Sequence, residues 1–389
     1  MAEIRLGTSG WSYADWEKIF YKSGESKFQK YSSIFNTVEI DSTFYSYPDP
    51  DLVKGLSKAA PEGFMFAAKI PSLITHKKKL SPDKAVKRDL DHFLELMEPL
   101  KKSKKLGPLL IQLPPKFTYQ EHFDSFKSFM RILPSEYRFA VEFRDASWIR
   151  EDVLSMLSKR EVAYTIVDEP LLPPELHVTA DFAYVRWHGK GKNPWYYYHY
   201  RREELEGWKP KLDELKEKVD KIYGYFNNHF HGYAVHNCLQ VLEILGIITP
   251  RQRKALKEVE KALQTRETPS LTLTDLLPPE KLPEKIEELL RILTDERRLK
   301  RAEAIESKLI KIEEQAYGYV SAKVKDYTII IDLEKRIIIH DCADWSRVGA
   351  RLNFCKHVAA LFLHLDEGRA REILQDVIRN RAQWTFREM

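Results

Sequence analysis

Eight short apolar runs punctuate the first 230 residues, at 4–8, 37–40, 64–68, 108–111, 139–141, 163–167, 182–185 and 222–226. Rich in Val, Ile, Phe and Tyr, they read as parallel strands buried on both faces. Between them lie helical patterns. In 83–101, Leu90, Phe93, Leu94 and Met97 fall on one stripe, and 123–133, 150–157 and 205–219 behave similarly. A last helix over 236–245 is closed by Gly246 at a cap position. Eight strand runs alternating with helical patterns predict a closed (β/α)8 TIM barrel over residues 1–246, in the α/β class.

The pattern then changes twice. Residues 247–307 are highly charged with mixed sign and broken by Pro250, Pro269, Pro278, Pro279 and Pro283, which reads as a solvated helical connector. From 308 to 389 a hairpin (319–324 with 327–333), a third strand at 336–339 and a helix over 356–365 predict a small α+β domain.

Polar residues close every barrel run: Ser9, then Glu39 and Asp41, Lys69, Gln112, Glu142 with Arg144, Asp168, Arg186 with His188, and Asn227 with Asn228. The carboxyl ends of barrel strands converge on one face, so this set predicts a pocket. Glu39, Glu142 and Asp168 with His188 are the ligand types of a Mg²⁺ or Mn²⁺ site for phosphoester hydrolysis. Lys69, Arg144 and Arg186 suit a phosphate, and Asn228 and Gln112 suit orientation of substrate or water. Any one pairing, Glu142 with Arg144 or Arg186 in particular, reads equally as interior ionic packing. Paired carboxylates also serve glycoside hydrolysis, although sugar sites seldom need several convergent cations.

After the seventh run, Lys190, Lys192, Trp195, Tyr197, Tyr200, Arg201 and Arg202 interleave cations with aromatic rings, a composition suited to unpaired nucleotides. The alternative is a packed aromatic loop covering the barrel rim. The net charge of +5 permits nucleic acid without requiring it.

No run of 18 apolar residues and no signal-peptide core occurs, so no membrane role and a cytoplasmic location are expected. Three cysteines exclude a disulfide framework. Two of them lie in His340-Asp341-Cys342 and Cys355-Lys356-His357, paired donors on either side of a loop. Thiolate and imidazole suit Zn²⁺, and four protein ligands make a structural site. Asp344 is the alternative to His340 as fourth ligand. Cys238, inside a helical pattern, reads as core.

Two resemblances follow from these motifs. Cys342, Asp344-Trp345, Cys355 and His357 resemble a SWIM zinc finger, with His340 where that family has its first cysteine. The resemblance implies binding of DNA or protein. Gly7-Thr8-Ser9-Gly10-Trp11, Val38-Glu39-Ile40, Gln112-Leu113-Pro114-Pro115, Glu142-Phe143-Arg144, Arg186-Trp187-His188-Gly189 and Phe226-Asn227-Asn228 resemble the YecE-like family, or domain of unknown function 72. That resemblance implies a TIM barrel and leaves the reaction open.

The expectation drawn from the whole sequence is a metal-dependent phosphodiesterase or nuclease acting on nucleic acid, DNA ahead of RNA, aided by the SWIM-like module. Two alternatives stand beside it: a non-catalytic nucleic-acid or protein adaptor, and a barrel enzyme acting on a sugar or phosphorylated small molecule.

Overall fold

Each apolar run forms a strand, and all eight lie in one parallel sheet in the order β1-β8-β7-β6-β5-β4-β3-β2. They are β1 (Glu3–Thr8), β2 (Thr37–Ile40), β3 (Met65–Lys69), β4 (Leu106–Gln112), β5 (Phe139–Glu142), β6 (Ala163–Asp168), β7 (Phe182–Trp187) and β8 (Lys221–Phe226). The computed structural model describes residues 2–191, 196–267, 282–316, 318–333, 335–349 and 352–388. The sheet curls until β1 meets β2, where Ser9 bridges Glu39 and the Gly10 amide donates to the Glu39 carbonyl at 2.8 Å. Gly7 makes that approach possible: a Cβ there would lie 2.3 Å from the Thr37 carbonyl oxygen. The product is a nearly closed TIM-like barrel.

Period two along the strands sorts the side chains. Ala67, Leu110, Ala140, Ala163, Phe182, Tyr184, Tyr223 and Tyr225 pack together inside the barrel. Their neighbours Phe66, Leu109, Val141, Ile166, Val185 and Phe226 face the helix layer. That layer comprises α1 (Lys27–Ser32), α2 (Pro50–Ala59), α3 (Val86–Lys102), α4 (Tyr119–Ile132), α5 (Glu151–Lys159), α6 (Arg202–Glu206), α7 (Lys209–Lys218), α8 (Tyr233–Ile244) and α9 (Pro250–Glu267). The pattern over 205–219 is two helices, not one. Cys238 is buried in α8, as its pattern implied.

The chain divides into two compact units at 267/268. The separate connector expected over 247–307 is therefore corrected. Ala255, Leu256, Val259 and Leu263 of α9 belong to the barrel core. Helices α10 (Ile286–Leu293) and α11 (Glu296–Glu303) bury Ile286, Leu289, Leu290, Leu293, Leu299 and Ala302 in the core of the second unit. Sparse leucines on three- and four-residue spacing seat each helix despite the surrounding charge.

The second unit carries a five-stranded sheet ordered β13-β12-β11-β10-β9. Its strands are β9 (Ile310–Ala316), β10 (Tyr319–Val324), β11 (Tyr327–Asp332), β12 (Ile337–His340) and β13 (Thr385–Glu388), flanked by α12 (Trp345–Gly349), α13 (Lys356–His364) and α14 (Glu367–Arg379). The hairpin, the third strand and α13 match the sequence expectation. Among the described residues, no helix is long and apolar enough to cross a membrane.

Candidate functional site

Above the aromatic filling of the barrel, the next inward positions carry charge. Arg186 lies two residues beyond Tyr184 on β7, so both enter the interior. Its guanidinium is wholly buried and spans two carboxylates, at 2.7 Å from Glu39 Oε1 and 2.7 Å from Glu142 Oε2. Ser9 Oγ and Tyr184 OH also donate to Glu39, at 2.6 and 2.7 Å. Arg144 Nε donates to Glu142 Oε1 at 2.7 Å, and its Nη1 lies 2.8 Å from Glu169. His188 Nε2 lies 3.3 Å from Glu142 Oε1, 3.2 Å from Arg186 Nη1 and 3.4 Å from Arg144 Nη2, while Nδ1 meets the Asn227 amide at 2.9 Å. Five residues placed together by the sequence pattern, Glu39, Glu142, Arg144, Arg186 and His188, thus form one network.

Burial would raise the Glu142 carboxyl, but the Arg186 and Arg144 guanidiniums and His188 outweigh it and hold it well below the usual range. Burial, then the two guanidiniums, push His188 well below the ordinary imidazole value against the pull of Glu142. His188 is therefore a neutral imidazole at neutral pH. As Nε2–H it donates to Glu142 while Nδ1 accepts from the Asn227 amide, so the network holds one tautomer of a neutral imidazole against a carboxylate.

The side chains of the other expected residues have partners of their own. Lys69 pairs with Asp41 at 3.2 Å and sits 4.2 Å above the Phe44 ring. Asp168 ends β6 one residue out of step with the inward positions and accepts from the Trp208 indole at 2.6 Å. Asn228 donates to the Tyr198 carbonyl and to Asn237 Oδ1, both at 2.8 Å, which ties the loop after β7 to α8. Among the described residues, the group of three or more metal-ligating side chains found is the one in the second unit, and none is found in the barrel. Glu39 and Glu142 are already matched by guanidiniums.

The loop after β7 is packed over the mouth. Tyr196 is buried, with its ring 5.4 Å from His188 and its hydroxyl 3.3 Å from Arg144 Nη2. Tyr200 is buried too; its hydroxyl accepts from the Gly189 amide at 2.8 Å and donates to the Asp168 carbonyl at 3.4 Å. Its ring is thus no platform for a base, which corrects that expectation. Tyr197 is partly exposed against Phe230. Lys190 pairs with Asp168 and Glu204, Arg201 with Glu204, and Arg202 with Glu206 and Glu243. Lys192 and Trp195 lie outside the described residues.

In the second unit, His340 at the end of β12, Cys342, Cys355 at the cap of α13 and His357 in its first turn bring four donor atoms within 4.8 Å of one another. The two sulfurs are 3.7 Å apart, too far for a disulfide and close to the roughly 3.8 Å spanned by two thiolates on a tetrahedral ion with bonds of about 2.3 Å. They share a hydrogen bond, which, with the neighbouring imidazoles, draws Cys342 far below the ordinary thiol range. His340 Nδ1 meets the Thr328 carbonyl at 2.6 Å, a partner that fixes the ring and leaves Nε2 facing inward. His340 Nε2 and His357 Nδ1 are buried without hydrogen-bond partners. Asp344 is instead engaged by Arg298 at 3.1 Å. The cluster can hold a metal ion, with His340 as the fourth donor.

Comparison with known proteins places the barrel. The family described as "Protein of unknown function DUF72" matches residues 5–261. The chain belongs to this family. The UPF0759 protein YunF of Bacillus subtilis is 30% identical over 279 residues, covering 64% of this chain and 98% of that protein. The UPF0759 protein YecE of Escherichia coli K12 is 29% identical over 141 residues, which span 48% of its length. Among solved structures, a DUF72 family protein from Thermotoga maritima is similar with a TM-score of 0.57 at 30% identity, covering 63% of this chain and 99% of that one. Another from Enterococcus faecalis gives 0.54 at 25% identity. The match ends at residue 261, so the DUF72 region includes most of α9 and stops before the second unit.

Several members of the DUF72 barrel's network were not singled out from sequence. Tyr184 sits within an apolar run, and its signal was parity with Arg186. Glu169 follows Asp168, the residue whose charge drew attention. Ser9 and Asn227 were visible only as strand ends.

Proposed function

We propose that the DUF72 barrel is an enzyme core that encloses a small anionic molecule at its mouth and acts on it by proton transfer. The carrying observation is the wholly buried His188 held between Glu142 and two guanidiniums at the carboxyl ends of the strands. Burying such a group of charges costs several kcal/mol per ion before pairing, and apolar filling of similar shape would serve stability as well or better. Charge at this end of a barrel is where such folds do chemistry. Arg144, at present donating to the Tyr196 hydroxyl, offers that position to a substrate carboxylate or phosphate. A compact substrate suits a mouth lined by Tyr196 and Tyr200 better than a nucleic-acid strand does.

The test is a panel of sugar phosphates and small carboxylates assayed for binding and turnover, with His188→Asn and Glu142→Gln alongside. Turnover lost in both variants supports the proposal. A second arm incubates single-stranded, flapped and duplex DNA and RNA with Mg²⁺ or Mn²⁺. Cleavage that depends on Glu142 and Asp168 would favour a nuclease instead. For the second unit we propose a structural zinc ion on His340, Cys342, Cys355 and His357, in a SWIM-like module. One equivalent of zinc, absent from Cys355→Ser, is the expected analysis.

A further inference from the structure

A cavity of about 870 Å³ opens beside the Cys/His cluster, with Cys342, Cys355 and His357 in its wall. Its charges are unevenly committed. Arg298 engages both Asp295 and Asp344, and Glu296 lies 3.5 Å from Arg291, so each acid of the rim has a cationic partner, although two guanidiniums serve three carboxylates. Arg297, Arg301 and Lys356 also line it, and none has an ion-pair partner among the described residues. Arg297 and Arg301 are four apart on α11, a spacing that sets like charges on one face and mildly destabilises a helix. Lys356 comes from the first turn of α13, whose positive end favours an anion. Two thiolates and two neutral imidazoles around a divalent ion sum to zero, so a filled metal site leaves the rim cationic. Tyr327, its ring 4.5 Å from His357, adds an aromatic wall.

The geometry points to a binding site for a compact phosphate-bearing ligand, of the size of a nucleoside mono- or diphosphate, in this cavity. Two guanidiniums and an ammonium around one hollow match phosphate oxygens through charge-assisted hydrogen bonds, and the cavity falls within the usual ligand-pocket range of about 300–1,000 Å³. The site stands independently of the barrel chemistry. A free nucleotide and the terminal phosphate of an oligonucleotide offer the same chemistry, and the concave shape favours a terminal group over an extended backbone.

The experiment is calorimetric titration of the full chain, its metal content verified, with pyrophosphate, AMP, ADP and an oligonucleotide with and without a 5′-phosphate. Arg297 and Arg301 are exposed, so Arg297→Ala/Arg301→Ala should fold, which circular dichroism and metal stoichiometry check. Binding of ADP or pyrophosphate that weakens at least tenfold in that variant and in Lys356→Ala, with partial recovery in Arg297→Lys/Arg301→Lys, is the expected result. If only the 5′-phosphorylated oligonucleotide binds, with the same variant dependence, the site takes the phosphate from a strand end. No binding, equal binding of the oligonucleotide lacking the phosphate, or affinity unchanged in the variants overturns the proposal.

Discussion

At the scale of single residues, Glu142 is where the energetics concentrate. Its two oxygens meet Arg144 and Arg186, and removing it leaves two buried guanidiniums short of an anion. Breaking such a buried pairing costs about 3–5 kcal/mol. Glu142→Ala should therefore lower the unfolding free energy of the barrel by about that amount in urea titrations. A loss under about 1 kcal/mol would mean that the network carries little of the energy assigned to it. Acid should have a related effect. Both Glu142 and His188 titrate lower when folded than when unfolded, so the unfolded chain binds protons first as pH falls. The stability they contribute is complete above about pH 6.5 and erodes below it, through His188 first and then through Glu142 below about pH 4.3. In His188→Asn, the fall in urea midpoint between pH 7.5 and 5.5 should shrink. An unchanged fall would show that His188 is not held neutral in the folded state.

At the scale of elements, two contacts separate this fold from what local pattern alone suggests. The first is the seam between β1 and β2, where Gly7 passes under the Thr37 carbonyl. Gly7→Ala must push the strands apart, and overpacking of this kind costs about 1–3 kcal/mol. A variant melting like the parent would show that the seam is not tight. The second is α9. Charge made its sequence look solvated, yet Leu256 and Leu263 are buried against the barrel. Leu256→Ala should cost about 2–5 kcal/mol, whereas a solvated connector would scarcely register it. Strand positions were readable because uninterrupted Val, Ile and Phe runs have little other use in a polar chain. The boundaries of 247–307 were not readable, because α10 and α11 pack on α14 and α13, well separated in sequence, and charge masks the few apolar residues that seat α9 against α8 and the barrel core. Strands β9 and β13 stayed hidden for a similar reason: Lys311, Glu313, Glu314 and Arg387 dilute the apolar pattern at the sheet edges.

At the scale of the whole molecule, the DUF72 barrel and the second unit each carry their own polar centre, and the sequence disclosed them unequally. The Cys/His centre was legible because its donors come in two close pairs, and the structure brings His340 together with the other three donors while Asp344 pairs with Arg298. Zinc content should therefore survive Asp344→Asn and fall in His340→Ala; the reverse pattern would exchange the two roles. The barrel centre was legible as a set of strand ends but not as a network, because a strand end one residue out of phase, as at Asp168, faces a different layer. Proton transfer through His188 is the central proposal for the barrel. The decisive measurement is kcat and KM for a panel compound that the parent turns over, repeated in His188→Asn. A fall in kcat of about a hundredfold or more with KM little changed is the predicted result. Equal kcat in the two proteins, or no turnover of any small anion, would contradict it.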